Sequence, residues 1–365
     1  MSRGAHASDI GLQGAIMNAR DHRLDAAKGV LILLVVFGHL LEDLSNGWED
    51  GAVRLLLTVI YAFHMPAFVL LAGVTAKAKR MTERILTFVI LLVVFQCVYF
   101  AAERYVGYPF DWSWVEPHWI LWFLLAMVWW TLTVPIVERL PRITLAVSIA
   151  VGLAAGLLLV DDDQFSLMRG LVYWPFFVLG KVYGARMIAA VPRLPRLSRW
   201  AIGAVALVPP VLLFSVDLGR QWLYSSRSYD HLDATGLEGL LIRAALYATA
   251  LLLTVALFGL VPDSAGILAQ LGERSLSIFL LHGLVVIGLS PAISAIFESG
   301  YDRPVQIAGI AVCAFLAGAI ALVVSRRPLH WLVATPPKRA ATFLTSLVPT
   351  RKQPPLSREP ARHGV

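Results

Sequence analysis

Apolar stretches of about 17 to 23 residues recur through this chain, and nothing else in it limits the possible folds so sharply. A bilayer core holds no water to satisfy exposed backbone groups, so each stretch must cross as a helix that bonds itself. Ten such helices are predicted, near 27–44, 53–75, 84–102, 119–138, 143–160, 167–187, 200–216, 238–260, 275–295 and 305–325. With 58% hydrophobic residues, 15% charged and a mean hydropathy of +0.70, the 365 residues are too apolar for a soluble fold. The fold class is therefore all-α and polytopic in a membrane. Residues 1–19 read as a short N-terminal segment, 20–325 as the membrane domain and 326–365, rich in Pro and Arg, as a disordered tail. The first span is expected to serve as an uncleaved signal anchor.

Charge sets the orientation. With the N-terminus in the cytoplasm, roughly 24 of the 31 Lys and Arg residues fall in inside segments. The acids Glu42, Asp43, Glu49, Asp50, Glu103 and Asp161 to Asp163 fall outside. Both termini are then cytoplasmic. The net charge of +7 belongs to segments that hug the anionic inner leaflet, and no separate basic domain exists to hold nucleic acid. Cys97 and Cys313 both lie in spans, and neither a metal-ligand cluster nor a Gly-rich phosphate loop occurs.

Against this apolar background the ionisable residues stand out. His39 lies within the first span, eleven residues after Lys28 at its mouth, which places the two on one helix face roughly 16 Å apart. An ionisable group at that depth marks a functional site or a ring bonded to a neighbouring helix, and the residues alone leave both open. His64, in the second span, falls near the same depth; imidazole can take and return a proton near neutral pH. Pro66 offers His64 a structural task instead, because it frees a backbone carbonyl for the ring. Glu42 and Asp43 follow His39 at i+3 and i+4, where a carboxylate can orient the imidazole, or simply end the span. Lys77, Lys79 and Arg80, with Arg84, form a cationic collar after the second span that suits a phosphorylated cosubstrate or plain inside-positive topology. The outside segment near 217–237, with Trp222, Tyr224 and His231, reads either as a sugar contact or as a solvated connection.

Five groups of residues in order resemble the membrane-bound acyltransferase 3 family, closest to its branch of fucose 4-O-acetylase-like and nodulation-factor acetylating enzymes. They are Leu24-Asp25-Ala26-Ala27-Lys28-Gly29 through Gly38-His39; Phe63-His64-Met65-Pro66 with Gly73; His118-Trp119 through Leu124; Arg169 with Trp174-Pro175-Phe176-Phe177; and Leu260-Val261-Pro262 followed by Leu271-Gly272 and Leu281-His282. The resemblance covers about 20–325 and implies a ten-helix enzyme of the bacterial plasma membrane. Its implied reaction moves an acyl group, usually acetyl from cytoplasmic acetyl-CoA, onto a hydroxyl of a carbohydrate or glycolipid, with no permanently bound cofactor. The family's basic residue eleven before a catalytic histidine carries onto Lys28 and His39, although many members have arginine first. Its arginine pair after the second span finds its nearest match in Lys77 with Arg80. On this reading Lys28, Lys77, Lys79 and Arg80 hold acyl-CoA, and His39, Glu42, Asp43 and His64 form the catalytic group. Trp119, Trp122, Arg169 and Arg243 face the acceptor, unless they are interface anchors. A transporter or flippase of a glycolipid or small anion is the alternative, since buried His and Arg also serve carriers; no inverted repeat is evident.

The charge asymmetry makes a direct prediction. In single-cysteine labelling on a background lacking Cys97 and Cys313, position 193 should react from the cytoplasm and position 230 from outside; the reverse pattern would overturn the orientation.

Overall fold

The computed structural model describes residues 22–44, 48, 51–107, 112–158, 164–297 and 303–347, apart from the side chains of Asp43, Ile296 and Phe297. The described residues are helical, with no strand among them. In chain order the helices are α1 (His22–Leu44), α2 (Gly51–Tyr61), α3 (His64–Thr75), α4 (Met81–Val106), α5 (Trp122–Arg139), α6 (Pro141–Ala154), α7 (Leu167–Leu179) and α8 (Ala185–Ala190). They continue with α9 (Arg196–Ala206), α10 (Val208–Ser215), α11 (Arg220–Tyr224), α12 (Gly236–Leu260), α13 (Ile267–Glu273), α14 (Ser275–Phe297), α15 (Arg303–Val324) and α16 (Arg327–Ser346).

Among the described residues, eight helical stretches are long and apolar enough to cross a membrane, including His22–Glu42, Gly51–Thr75, Trp119–Arg139 and Ser275–Ala295. The chain is thus a polytopic all-α membrane protein. The expected span at 143–160 is shorter than predicted, and the one at 167–187 is interrupted. The first is an apolar helical stretch at Pro141–Leu157. The second is α7, which passes through a π-helical turn at Gly180–Gly184 before α8. A Cβ on Gly180 would collide with the backbone carbonyl of Leu70, so α3 and this turn touch backbone to backbone.

Proline governs the second span in the same way. Pro66 lacks an N–H, and the chain steps out of helix at Ala62 and Phe63 before resuming at His64. The step leaves the Ile60 carbonyl facing the N–H of Phe63 at 3.2 Å and the Nδ1 of His64 at 2.8 Å. His64 is thereby seated in the kink as its side-chain plug.

Helix α1 is the buried axis of the molecule, wrapped by α13, α14 and α15 with α2 and α3 beside it. Its closest neighbour is the short α13. A Cβ on Gly29 would meet the Leu268 carbonyl, and one on Gly272 the Asp25 carbonyl, so two glycines facing opposite ways let the backbones touch.

Residues 327–346 of the expected disordered tail form α16 instead, packed against α4 and α14. Val333, Ala334, Pro337 and Ala341 make a buried stripe at helical spacing, which outweighs the Pro-rich composition. Residues 1–19 and 348–365 lie outside the described residues.

Because the contact is backbone to backbone, Gly272→Val is expected to abolish recovery of monodisperse protein in detergent, whereas Gly318→Ala, where a Cβ meets open space, should leave size-exclusion behaviour unchanged.

Candidate active site

Helix α1 presents His39 and, one turn on, Glu42 to the same side. Nδ1 of His39 lies 3.1 Å from Glu42 Oε2. An ionised carboxylate offers only acceptors, so the proton of this bond sits on Nδ1 and the neutral ring keeps its lone pair on Nε2. The Tyr61 hydroxyl is 3.3 Å from the same Nδ1. Across the bundle, Tyr224 donates its hydroxyl proton to Glu42 Oε1 at 2.5 Å. Burial and then the Glu42 charge raise the Tyr224 phenol above its usual value, which keeps it a donor. Only 12% of the His39 side chain and 22% of Glu42 are exposed, so solvent does not compete for these bonds.

Aromatic rings enclose the pair. Trp119 meets His39 edge-on at 4.7 Å, and Trp48 packs edge-on against both Tyr61 and Tyr224. Trp119 belongs to the 3-10 turn Trp119–Leu121 that opens α5, with His118 just before it. His118 Nε2 lies 2.9 Å from Glu103 Oε1, and burial brings the His118 imidazole down to about 4. That contact ties the turn to α4.

A cavity of about 280 Å³ lies over His39, Glu42 and His64. Trp119, Trp122, Arg169 and Tyr224 are among the residues that line it. The Arg169 guanidinium stacks over Trp122 at 5.2 Å, and Trp122 stacks on Tyr173 at 5.6 Å. A further hollow of about 240 Å³ shares Trp119, Trp122 and Arg169 and continues past Arg227 and Glu116. Two flat indoles and a guanidinium beside an imidazole base are suited to holding a polyhydroxylated ring over that base.

Of the sequence candidates, His39, Glu42, His64, Trp119, Trp122 and Arg169 are thus brought together around one cavity. The Asp43 side chain lies outside the described residues. Arg243 is placed elsewhere. It is buried behind α11, donating to the Trp222 carbonyl at 3.1 Å and to Ser225 Oγ at 2.7 Å, with Trp222 beneath its guanidinium. It holds the outer segment in place and lines a small adjacent pocket, not the central cavity. Lys28 pairs with Asp25 at 3.8 Å and lines neither the central cavity nor the one at the basic end of the bundle. Lys77, Lys79 and Arg80 are exposed at that end, and only Arg80 of the three enters the basic-end cavity.

Three further residues that meet the His39–Glu42 pair have no assigned role in the sequence, although His282 belongs to the Leu281-His282 group that carries the resemblance. Tyr61 gave no signal beyond its place before the Phe63-His64 pair. Tyr224 lay in the outer segment whose sugar-contact reading and connection reading were both open; the structure shows that segment packed, with Trp222, Leu223 and Tyr229 buried. His282, in α14, stacks on His39 with ring centroids 5.5 Å apart and 26° between planes. Its Nδ1 donates to the Ile278 carbonyl at 2.9 Å, and its buried Nε2 has no hydrogen-bond partner among the described residues.

Comparison with known proteins gives a family and two relatives. The model of a family described as an acyltransferase domain (Acyl_transf_3) matches residues 21–324. The chain is 26% identical over 190 residues to nodulation protein NolL of Sinorhizobium fredii, which covers 46% of this chain and 49% of that protein. It is 44% identical over 57 residues to nodulation protein NolL of Mesorhizobium japonicum, 15% of each. The aligned stretches therefore span half or less of these relatives. No solved structure matches.

The position of Arg243 separates a supporting role from acceptor contact. Arg243→Ala removes a charged donor from the Trp222 carbonyl and the Ser225 hydroxyl, and the melting temperature in detergent should fall by about 3 °C or more, with partial recovery in Arg243→Lys. An unchanged melting temperature would remove the supporting role.

Proposed function

This chain belongs to the acyltransferase 3 family, and from that premise we propose that it is a membrane O-acetyltransferase. It takes acetyl from acetyl-CoA on the cytoplasmic side of the cell membrane and passes it to a hydroxyl of a cell-surface or lipid-linked carbohydrate. The single observation that carries this reading is the oriented His39: a carboxylate on Nδ1, a lone pair on Nε2 and an indole-walled cavity over it.

In this reading Glu42 fixes the imidazole tautomer, as the acid of a catalytic triad does. His39 Nε2 takes the proton of the acceptor hydroxyl as that oxygen attacks the thioester carbonyl. The C–O bond forms, the C–S bond breaks, and the imidazolium returns its proton to the leaving thiolate. Glu42 is the counter-ion while the ring is charged, and Tyr224 and Tyr61 keep the carboxylate and ring aligned. Trp119, Trp122 and Arg169 hold the acceptor. His64 sustains the kink of the second span with its Nδ1 committed to Ile60, which makes it a positioning residue. The match of residues 21–324 to an acyltransferase domain favours this reading over a transporter.

Acetyl incorporation into carbohydrate, measured in membranes with matched amounts of each variant, tests the assignment. His39→Ala should lose about 10²–10⁴-fold in turnover at saturating acetyl-CoA. Tyr224→Phe, which removes one bond to a charged group, should lose about tenfold. Near-normal turnover in His39→Ala together with loss in His64→Ala would move the base to the second span.

A further inference from the structure

The central cavity is matched by another at the opposite end of the bundle. Its volume is about 500 Å³, and it lies between the end of α3, the first turns of α4, α5, the start of α14 and helix α16. Its mouth carries Arg80, Arg84 and Lys338 against a single carboxylate, Glu83, together with the hydroxyls of Thr87 and Thr342. Arg80 lies 3.8 Å from Glu83, and the Arg84 guanidinium reaches the Lys77 carbonyl at 3.4 Å. Three cations to one acid, two from the start of α4 and one from α16, make a receptor for a ligand with several negative charges.

The deep end of this cavity is apolar. Leu91, Met127 and Leu276 line it. Met127 lies one turn from Phe123 on α5, and Leu276 one turn from Phe279 on α14, whose side chain lines the central cavity. Phe123 meets Phe279 edge-on at 5.4 Å and Phe68 at 6.0 Å. The two cavities therefore approach each other from opposite ends of the bundle, divided by three phenylalanine side chains. A ligand with a polyanionic head and a long, weakly polar arm fits this sequence of charges, apolar wall and aromatic divider; a lone anion uses only the mouth.

We infer that Lys338 on α16 is a phosphate-binding residue for the acyl donor, in the seat that this basic-end cavity provides beside Arg80 and Arg84. The inference rests on the acetyl-CoA reading above and deepens it. Helix α16 begins after residue 324, where the match to the family domain stops, so Lys338 lies outside the matched residues. The buried stripe of α16 holds it against α4 and α14, and that docking carries Lys338 and Thr342 to the cavity lip. Arg339, the next residue, is also exposed but does not line the cavity.

The test measures binding of CoA and of pantetheine, which lacks phosphate, to the purified full-length protein in neutral-lipid nanodiscs, alongside acetyl transfer. Lys338→Ala should weaken CoA binding about tenfold and raise the KM for acetyl-CoA in step with kcat kept. Pantetheine binding should not change, Lys338→Arg should restore CoA binding, and Arg339→Ala should match the wild type. Equal CoA affinity in wild type and Lys338→Ala overturns the inference, as does equal weakening in Arg339→Ala, which would mean a diffuse basic surface. Loss of CoA binding when anionic lipid is added, with no binding difference between the variants in neutral lipid, would assign the mouth to lipid headgroups. Should CoA bind with the expected variant pattern while no acetyl transfer occurs to any carbohydrate, the seat stands and the proposed function fails.

Discussion

A carboxylate bonded to an imidazole inside a hydrocarbon slab is the interaction on which the rest of this structure depends. Neither group is tolerable there unpaired, since the cost of stripping water from an ion is recovered only by close and well-oriented partners. Glu42 meets that condition with His39 on one oxygen and Tyr224 on the other. Tyr61 approaches the ring, and Trp48 packs on both tyrosines. The contacts of Glu42 and Tyr61 to the ring both fall on its Nδ1. The low-dielectric surroundings that make the pair costly also make its field strong, which is what a proton-transferring site requires.

Holding that pair still falls to glycine and proline, residues usually regarded as helix-weakening. Gly29 and Gly272 bring α1 and α13 to backbone contact, and Gly73 and Gly180 do the same for α3 and the π turn after α7. In lipid, where apolar side chains gain little by leaving their surroundings, such close approach is the main source of helix association. Pro66 breaks the second span at the depth of the site, and His64 fills the break with a side-chain bond. Tyr61, the last residue before the step, lies against His39 and Trp48.

The outer segment illustrates how a connection becomes part of a site. Arg54 of α2 pairs with Asp217, Tyr229 donates to the Leu153 carbonyl at 2.6 Å, and Arg243 holds Trp222 and Ser225. These anchors come from three different helices, and together they deliver Tyr224 to Glu42 across the cavity. Its charged and aromatic composition marked the segment as unusual, but composition carries no information about which of its rings points inward.

Much of this protein is determined by local sequence. Apolar run length decides that the helices cross a membrane, because backbone bonding inside lipid admits no other solution for such runs. Helical periodicity decides that Lys28, His39 and Glu42 share a face, since side chains three, four and eleven residues apart stack on one side of any α-helix. A break in the second span follows from the N–H that Pro66 lacks, whereas the seat of His64 on the Ile60 carbonyl is seen only in the structure. What only the tertiary structure decided is which faces meet. It brought Tyr224 and His282 to the His39–Glu42 pair, set Arg243 behind the cavity instead of in it, kept Lys28 with Asp25 and out of both cavities, and docked α16 so that Lys338 joins Arg80 and Arg84. The reason is that these contacts join residues up to about 250 positions apart, and in a sequence rich in apolar residues on every helix face no periodic pattern singles out the face that packs.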